Sequence, residues 1–210
     1  MSKNSNTKKE SSLSLFFDQC FEKGLFREFD SEELKRAEKL VDMFDLKKTW
    51  HIMEPGCGCG RMTRMLAEKL APEGRIFAFE ISSKMIDYCR KSEFPPFVHF
   101  FSESVLHTNL APDTLDAVIC FNVWPHFKHQ DKYLVCFKKL LKPGGFLFIA
   151  HSCGREFINS IHKNSGDVTI RNHLLPSVEQ LSRYLEDHGW VTIEKLEQDD
   201  LYFLKSQKKP

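Results

Sequence analysis

The segment "HIMEPGCGCGRM", His51 to Met62, runs from an apolar stretch through an acid into three glycines spaced two apart, and then into a helical pattern. Glycine turns the backbone tightly and lets a ligand approach it with no Cβ in the way. A glycine turn between a strand and a helix is the context that a nucleotide-bearing ligand requires. Glu80 ends the next strand-like run, about twenty residues beyond Gly60. A carboxylate at that place accepts hydrogen bonds from both ribose hydroxyls.

Two ligand classes use such a turn, nicotinamide dinucleotides and S-adenosylmethionine. The dinucleotide pattern is G-x-G-x-x-G, with a pyrophosphate seated on the helix N-terminus. Here the run is E-x-G-x-G-x-G, Glu54 to Gly60. Glu54 would repel a pyrophosphate and suits a ligand bearing an ammonium and a sulfonium. The turn therefore favours S-adenosylmethionine.

The elements that position these residues follow from periodicity. Residues 1–12 read as a disordered tail, and "SLSLFFDQCFEKGLF" as a short amphipathic helix. Asp30 with Glu33 reads as a capping box opening the next helix. These N-terminal helices, within 13–46, are either a lid over the ligand or ordinary packed elements. Strand-like "TWHIME", "RIFAFEI", "FVHFFS", "TLDAVICFNV" and "FLFIAHS" then alternate with helical segments, the last helix ending at "KPGG". "GREFINSIHKNSG" and "SVEQLSRYLEDHG" are helical, and "WVTIEKLE" and "DLYFLKS" close the chain as a hairpin. Alternation of this kind predicts a parallel sheet with right-handed crossovers. The expected sheet has seven strands, with one antiparallel strand in the C-terminal hairpin, and 13–210 is expected to be a single domain.

At this point the chain resembles the class I S-adenosylmethionine-dependent methyltransferases, over Trp50 to Ser152 and more loosely beyond. "EPGCGCGRMT" matches the first motif of that family and "FAFEIS" its ribose-binding acid. "LDAVICFNVWPHF" resembles the fourth strand with the loop after it, and "CFKKLLKPGGFLFIAHS" the helix, turn and fifth strand. The resemblance implies a Rossmann-like three-layer α/β/α sandwich. It implies that Glu54, Gly56, Cys57, Gly58 and Gly60 hold the methionine end of the cofactor. Glu80, with Ile81 beside it, would take the ribose, and Glu103 or Ser104 the adenine amine. Asn122 would line the sulfonium side. Cys57 and Cys59 fill variable positions of the turn, as small side chains rather than reactive groups.

Methyl transfer is an in-line displacement in which the protein mainly aligns donor and acceptor. A base is needed only when the acceptor carries a proton, so the fold does not name the substrate. Enzymes of this class that methylate amino groups of nucleic acids carry Asn/Asp-Pro-Pro-aromatic after the fourth strand. "NVWP", Asn122 to Pro125, lacks the paired prolines. The general shape is closer to small-molecule enzymes such as the quinone methyltransferases and, more distantly, the arsenite ones, within the type 11 group. Tentative acceptor-side residues are His126 and His151 as base or orienting groups, with Trp124, Arg155 and His162 as substrate contacts. His151, Arg155, Asn159 and His162 recur at spacings that share one helix face. No recognised ligand spacing supports a metal.

Composition narrows the rest. The 210 residues carry a net charge of +1, which argues against a large basic field for nucleic acid or membrane. Seven scattered cysteines without C-x-x-C spacing suit free thiols in a reducing cytoplasm. "LSLFF" is too short to span a bilayer. The expected partner is a small-molecule acceptor. The alternatives are a nucleic-acid or protein methyltransferase, a nicotinamide-dependent oxidoreductase, and a non-catalytic S-adenosylmethionine-binding protein.

Overall fold

In the computed structural model the backbone is described for residues 3–209 and the side chains for residues 12–209. Of the tail expected over 1–12, the backbone of residues 3–12 lies in helix α1 (Lys3–Glu22), and residues 1 and 2 fall outside the described residues.

Strand side chains alternate between two apolar cores. In β1 (His51–Pro55), Ile52 enters one core and Met53 the other. In β4 (Leu115–Phe121), Ala117, Ile119 and Phe121 join Ile52, while Val118 and Cys120 join Met53. β5 (Leu141–His151) divides in the same way, Phe148 and Ala150 against Leu147 and Ile149. Successive strand residues point to opposite faces, so strands apolar on both faces demand a helical layer on each side. α2 (Ser31–Met43), α3 (Arg61–Lys69) and α4 (Ser83–Lys91) cover one face. α5 (Gln130–Leu140) and α7 (Val178–Asp187) cover the other. The result is the expected three-layer sandwich.

Adding β2 (Arg75–Phe79), β3 (Val98–Phe101), β6 (Trp190–Glu197) and β7 (Tyr202–Lys208), the strand order is β3-β2-β1-β4-β5-β7-β6. β1 pairs parallel with β2 and β4, and β7 runs antiparallel to both β5 and β6. The single antiparallel strand is where the hairpin pattern put it. The chain order reverses between β1 and β4, and at such a switch point the loops at the carboxyl ends part to leave a crevice.

Two local readings are corrected. Asp30 caps α2 through Oδ1, accepting from the backbone N–H of Glu32 (2.9 Å) and Glu33 (2.7 Å). Glu33 does not reach back to complete a capping box, because its carboxylate is taken by Arg61 and Ser152. A full capping box forms instead at Ser177 and Gln180, opening α7. Finally, β5 begins at Leu141 rather than after "KPGG", with its register to β4 shifting between Leu115 and Ala117. Among the described residues no helix is long and apolar enough to cross a membrane.

Helix α1 (Lys3–Glu22) lies across the carboxyl end of the sheet. On one side Ser14 Oγ donates to the Ile81 carbonyl (2.8 Å), and Asp18 accepts from Ser82 Oγ. On the other side Phe17 meets the His126 ring edge-on, with centroids 5.3 Å apart.

Candidate functional site

The turn after β1 is built around a backbone that only glycine adopts readily. Gly56, Gly58 and Gly60 all have positive φ, at 76°, 55° and 78°. The N–H groups of Gly56 and Cys57 both donate to the Phe79 carbonyl, at 2.7 and 3.0 Å, which folds the turn back onto β2. A Cβ on Gly56 would overlap the side chain of Val123. Gly60 is the N-cap of α3, and a Cβ there would approach Phe94 to 2.8 Å. Its role is to let the helix pack; unlike Gly56 and Gly58, it does not line the main cavity.

Glu80 locks the turn to the next helix. Oε2 accepts from Gly58 N–H at 3.1 Å and Oε1 from Ser82 N–H at 2.9 Å. Burial raises its carboxyl above the usual range, and those backbone N–H groups oppose the rise. Glu54, also buried, accepts from Thr63 Oγ1 at 2.6 Å. Burial pushes Glu54 up to about 8, with Thr63 opposing and Glu80 adding to the effect. The thiols of Cys57 and Cys59 are likewise raised by burial, Cys59 to about 12. Both side chains are buried, which disfavours the reactive thiolate form.

Together these groups wall one end of a cavity of about 790 Å³. Glu54, Gly56, Cys57, Gly58 and Glu80 line it, followed by Ile81, Glu103, Ser104 and Asn122. Nine of the ten residues expected to hold the cofactor therefore converge, with Gly60 the exception. Ser104 Oγ accepts from Leu106 N–H (3.4 Å), and the neighbouring Glu103 also lines the cavity.

The cavity also holds a polar chain that spacing in the sequence did not disclose. Arg61 donates to Glu33 Oε2 (2.9 Å), and Ser152 Oγ donates to Glu33 Oε1 (2.9 Å). Asn122 exchanges two hydrogen bonds with Ser152, at 2.9 and 3.0 Å, and Arg36 donates to the Ser152 carbonyl at 2.6 Å. Asn122 itself sits at φ 51°. The only local signal was Arg61, directly after the third glycine; Glu33 and Arg36 arrive from a helix folded over the sheet.

Four imidazoles gather toward the other end. His126, His151 and His162 line the cavity. His173 reaches His126, with their Nδ1 atoms 3.0 Å apart. The rings of His126 and His162 have centroids 5.0 Å apart. Burial is the main cause that lowers all four, His151 to about 3 and His173 to about 4. His151 Nε2 is buried and unpartnered among the described residues. Among those residues no group of three or more His, Cys, Asp or Glu side chains is arranged to hold a metal ion.

Two expected acceptor contacts, Trp124 and Arg155, go elsewhere, as does Asn159 of the same stripe. Trp124 opens a short 3-10 turn and is 0% exposed, its indole packed in the core beside Phe127 rather than on the cavity wall. Arg155, at the start of α6 (Arg155–Asn164), turns outward to Glu197 and Glu156. Asn159 grips Leu175 instead: Nδ2 donates to its carbonyl (3.0 Å) and Oδ1 accepts from its N–H (2.7 Å). Of the stripe read along α6, only His162 faces the cavity with His151.

Residues 53–149 match the family described as methyltransferase domain. A tRNA N(3)-methylcytidine methyltransferase of Schizosaccharomyces pombe is 27% identical over 164 residues, 74% of this chain and 62% of that protein. The (S)-coclaurine N-methyltransferase of Thalictrum flavum is 23% identical over 162 residues, 75% of this chain and 44% of that protein. The chain thus spans less than two thirds of the length of either relative. Among solved structures, an S-adenosylmethionine-dependent methyltransferase from Aquifex aeolicus superposes with a TM-score of 0.69 at 18% identity, covering 85% of this chain and 93% of that one. Strand order, glycine turn and the match over residues 53–149 agree: that segment is similar to the methyltransferase domain family, and the chain has the fold of the S-adenosylmethionine-dependent methyltransferases.

Proposed function

We propose that this protein transfers the methyl group of S-adenosylmethionine to a small-molecule acceptor bound at the histidine end of the cavity. The observation that carries the reading is a single continuous cavity, walled by Glu54 and Glu80 at one end and by His126, His151 and His162 at the other. When bound, S-adenosylmethionine supplies a methyl group already attached to a good leaving group.

The chain's own residues divide the remaining work. Glu80 accepts from the ribose hydroxyls with the lone pairs that Gly58 and Ser82 leave free. Glu54 and the backbone of the turn take the ammonium of the methionine end, and Arg36 and Arg61 offer cations to its carboxylate. Glu103 faces the adenine amine, and Asn122 lines the sulfonium side. Helix α1, with α2 behind it, acts as the lid that excludes water, within one domain over 13–210.

Phe17, Phe157 and Ile161 on the acceptor side favour an apolar body for the acceptor. The net charge of +1 and a cavity roofed by α1 favour a small molecule over the tRNA named for the yeast relative. Seven free cysteines suit a reducing cytoplasm.

The test is calorimetric titration with S-adenosylmethionine, S-adenosylhomocysteine and NAD, followed by an acceptor screen with tritiated S-adenosylmethionine. Micromolar binding of the first two and transfer of label to a small molecule are expected. Binding of NAD alone would overturn the cofactor assignment, and binding without transfer in every screen would favour a non-catalytic binder.

A further inference from the structure

The four imidazoles are not equivalent, and the hydrogen bonds around one of them determine where its proton sits. His162 Nδ1 is bonded to the backbone carbonyl of His173. A carbonyl oxygen only accepts, so Nδ1 carries the proton and Nε2 of the neutral ring is left with a lone pair. Nε2 has no partner among the described residues, and His162, 8% exposed, lines the cavity. The carbonyl is itself held in place. Asn159, one turn earlier on α6, clamps both backbone groups of Leu175, two residues beyond His173.

The other three rings lack this arrangement. His126 and His173 face each other Nδ1 to Nδ1, so one must donate and the other accept. His151, 2% exposed, has an unpartnered Nε2 among the described residues and its ring lies against Tyr202. Of the four rings, His162 makes a hydrogen bond that favours its charged form, to the His173 carbonyl, and this opposes the effect of burial. The titratable groups against it are His126, His151 and His173; Cys20 and Lys23 line the same cavity, and Lys128 acts on His173 from outside.

We infer that His162 is the general base of the transfer, with Asn159 as its positioning residue, and that the acceptor is an apolar molecule whose nucleophilic oxygen, sulfur or ring nitrogen carries a proton. This rests on the methyltransferase reading above. The acceptor heteroatom forms its bond to the methyl carbon as the carbon–sulfur bond breaks, and that bonding pair stays on sulfur, leaving a neutral thioether. The heteroatom's proton passes to His162 Nε2, and the resulting imidazolium, stabilised by the His173 carbonyl, releases a proton to water once product leaves. An acceptor whose reacting atom carries no proton at pH 7, such as a thioether, has no use for this base.

The test is NMR of the full chain labelled with imidazole-15N histidine, saturated with S-adenosylhomocysteine, with His162→Gln and His126→Gln for assignment. The expected spectrum shows His162 protonated at Nδ1 and bare at Nε2 near pH 7, and protonating at a higher pH than His126, His151 or His173. Asn159→Ala should shift His162 toward a mixture of tautomers, while Asn159→Asp, which keeps the acceptor for Leu175 N–H, should retain more of the Nδ1–H form. A His162 ring protonated at Nε2, or one protonating below its neighbours, overturns the inference. Calorimetry with S-adenosylhomocysteine on the same sample separates the two readings, since absent binding would sink the methyltransferase reading instead. Every acceptor found by tritium transfer should bear a labile proton and lose about 10²–10⁴-fold in rate with His162→Gln. Transfer to a thioether at an unchanged rate in that variant would also overturn it.

Discussion

Glu54 and Thr63 are both buried, and Thr63 Oγ1 donates to Glu54 Oε2 at 2.6 Å. With its carboxyl pushed up to about 8, Glu54 is largely protonated at pH 7 in the ligand-free protein. An ammonium brought against it favours the charged form. Binding of S-adenosylmethionine at pH 7 should therefore release close to one proton. Calorimetry in two buffers of different ionisation enthalpy measures this, and Glu54→Gln should abolish the release. The same variant should weaken binding by about 1.5–3 kcal/mol, the size of a hydrogen bond to a charged group.

Glu80→Ala removes the acceptor for the N–H groups of Gly58 and Ser82 as well as the ribose contact. Cofactor affinity should fall by about 1.5–3 kcal/mol, roughly ten- to a hundredfold. Unchanged affinity by titration would put the ribose elsewhere.

Gly56→Ala combines a left-handed backbone with a steric overlap on Val123. The first costs about 1–2 kcal/mol and the second about 1–3 kcal/mol. A double-mutant cycle with Val123→Ala, read by urea denaturation, should show favourable coupling of about 1 kcal/mol or more. Additive effects would mean that Val123 moves aside freely.

The imidazoles make the fold acid-sensitive. His151 at about 3 and His173 at about 4, with His126 and His162 also lowered, bind fewer protons folded than unfolded below the ordinary value of 6.5. Their contribution is fully present above about pH 6.5 and is lost as pH falls toward their folded values. Glu54, raised when folded, acts oppositely, and its contribution declines as pH rises from the ordinary carboxyl value toward about 8. Glu80, also raised by burial, acts as Glu54 does, but four imidazoles outweigh two carboxyls, so the urea midpoint should fall as pH is lowered from 6.5 to 5. His151→Gln should flatten that slope.

What was legible in the sequence was what depends on near neighbours along the chain. Period-two and helical patterns reported the strands, the helices and the one reversed strand, because each residue's face follows from its own backbone geometry. The E-x-G-x-G-x-G run and Glu80 reported the cofactor end, because a tight turn after a strand is a local structure. The acceptor end was legible only as a set of residue types. Glu33 reaches Ser152 across 119 residues, which made half of an expected capping box into part of the cavity wall. Trp124 went into the core and Arg155 to Glu197, because sharing a helix face with a functional residue does not determine what packs against it. Which nitrogen of His162 holds its proton depends on the carbonyl of His173, and that carbonyl is placed by a loop that Asn159 grips. Tertiary packing decided those contacts, since they join segments that spacing along the chain cannot relate.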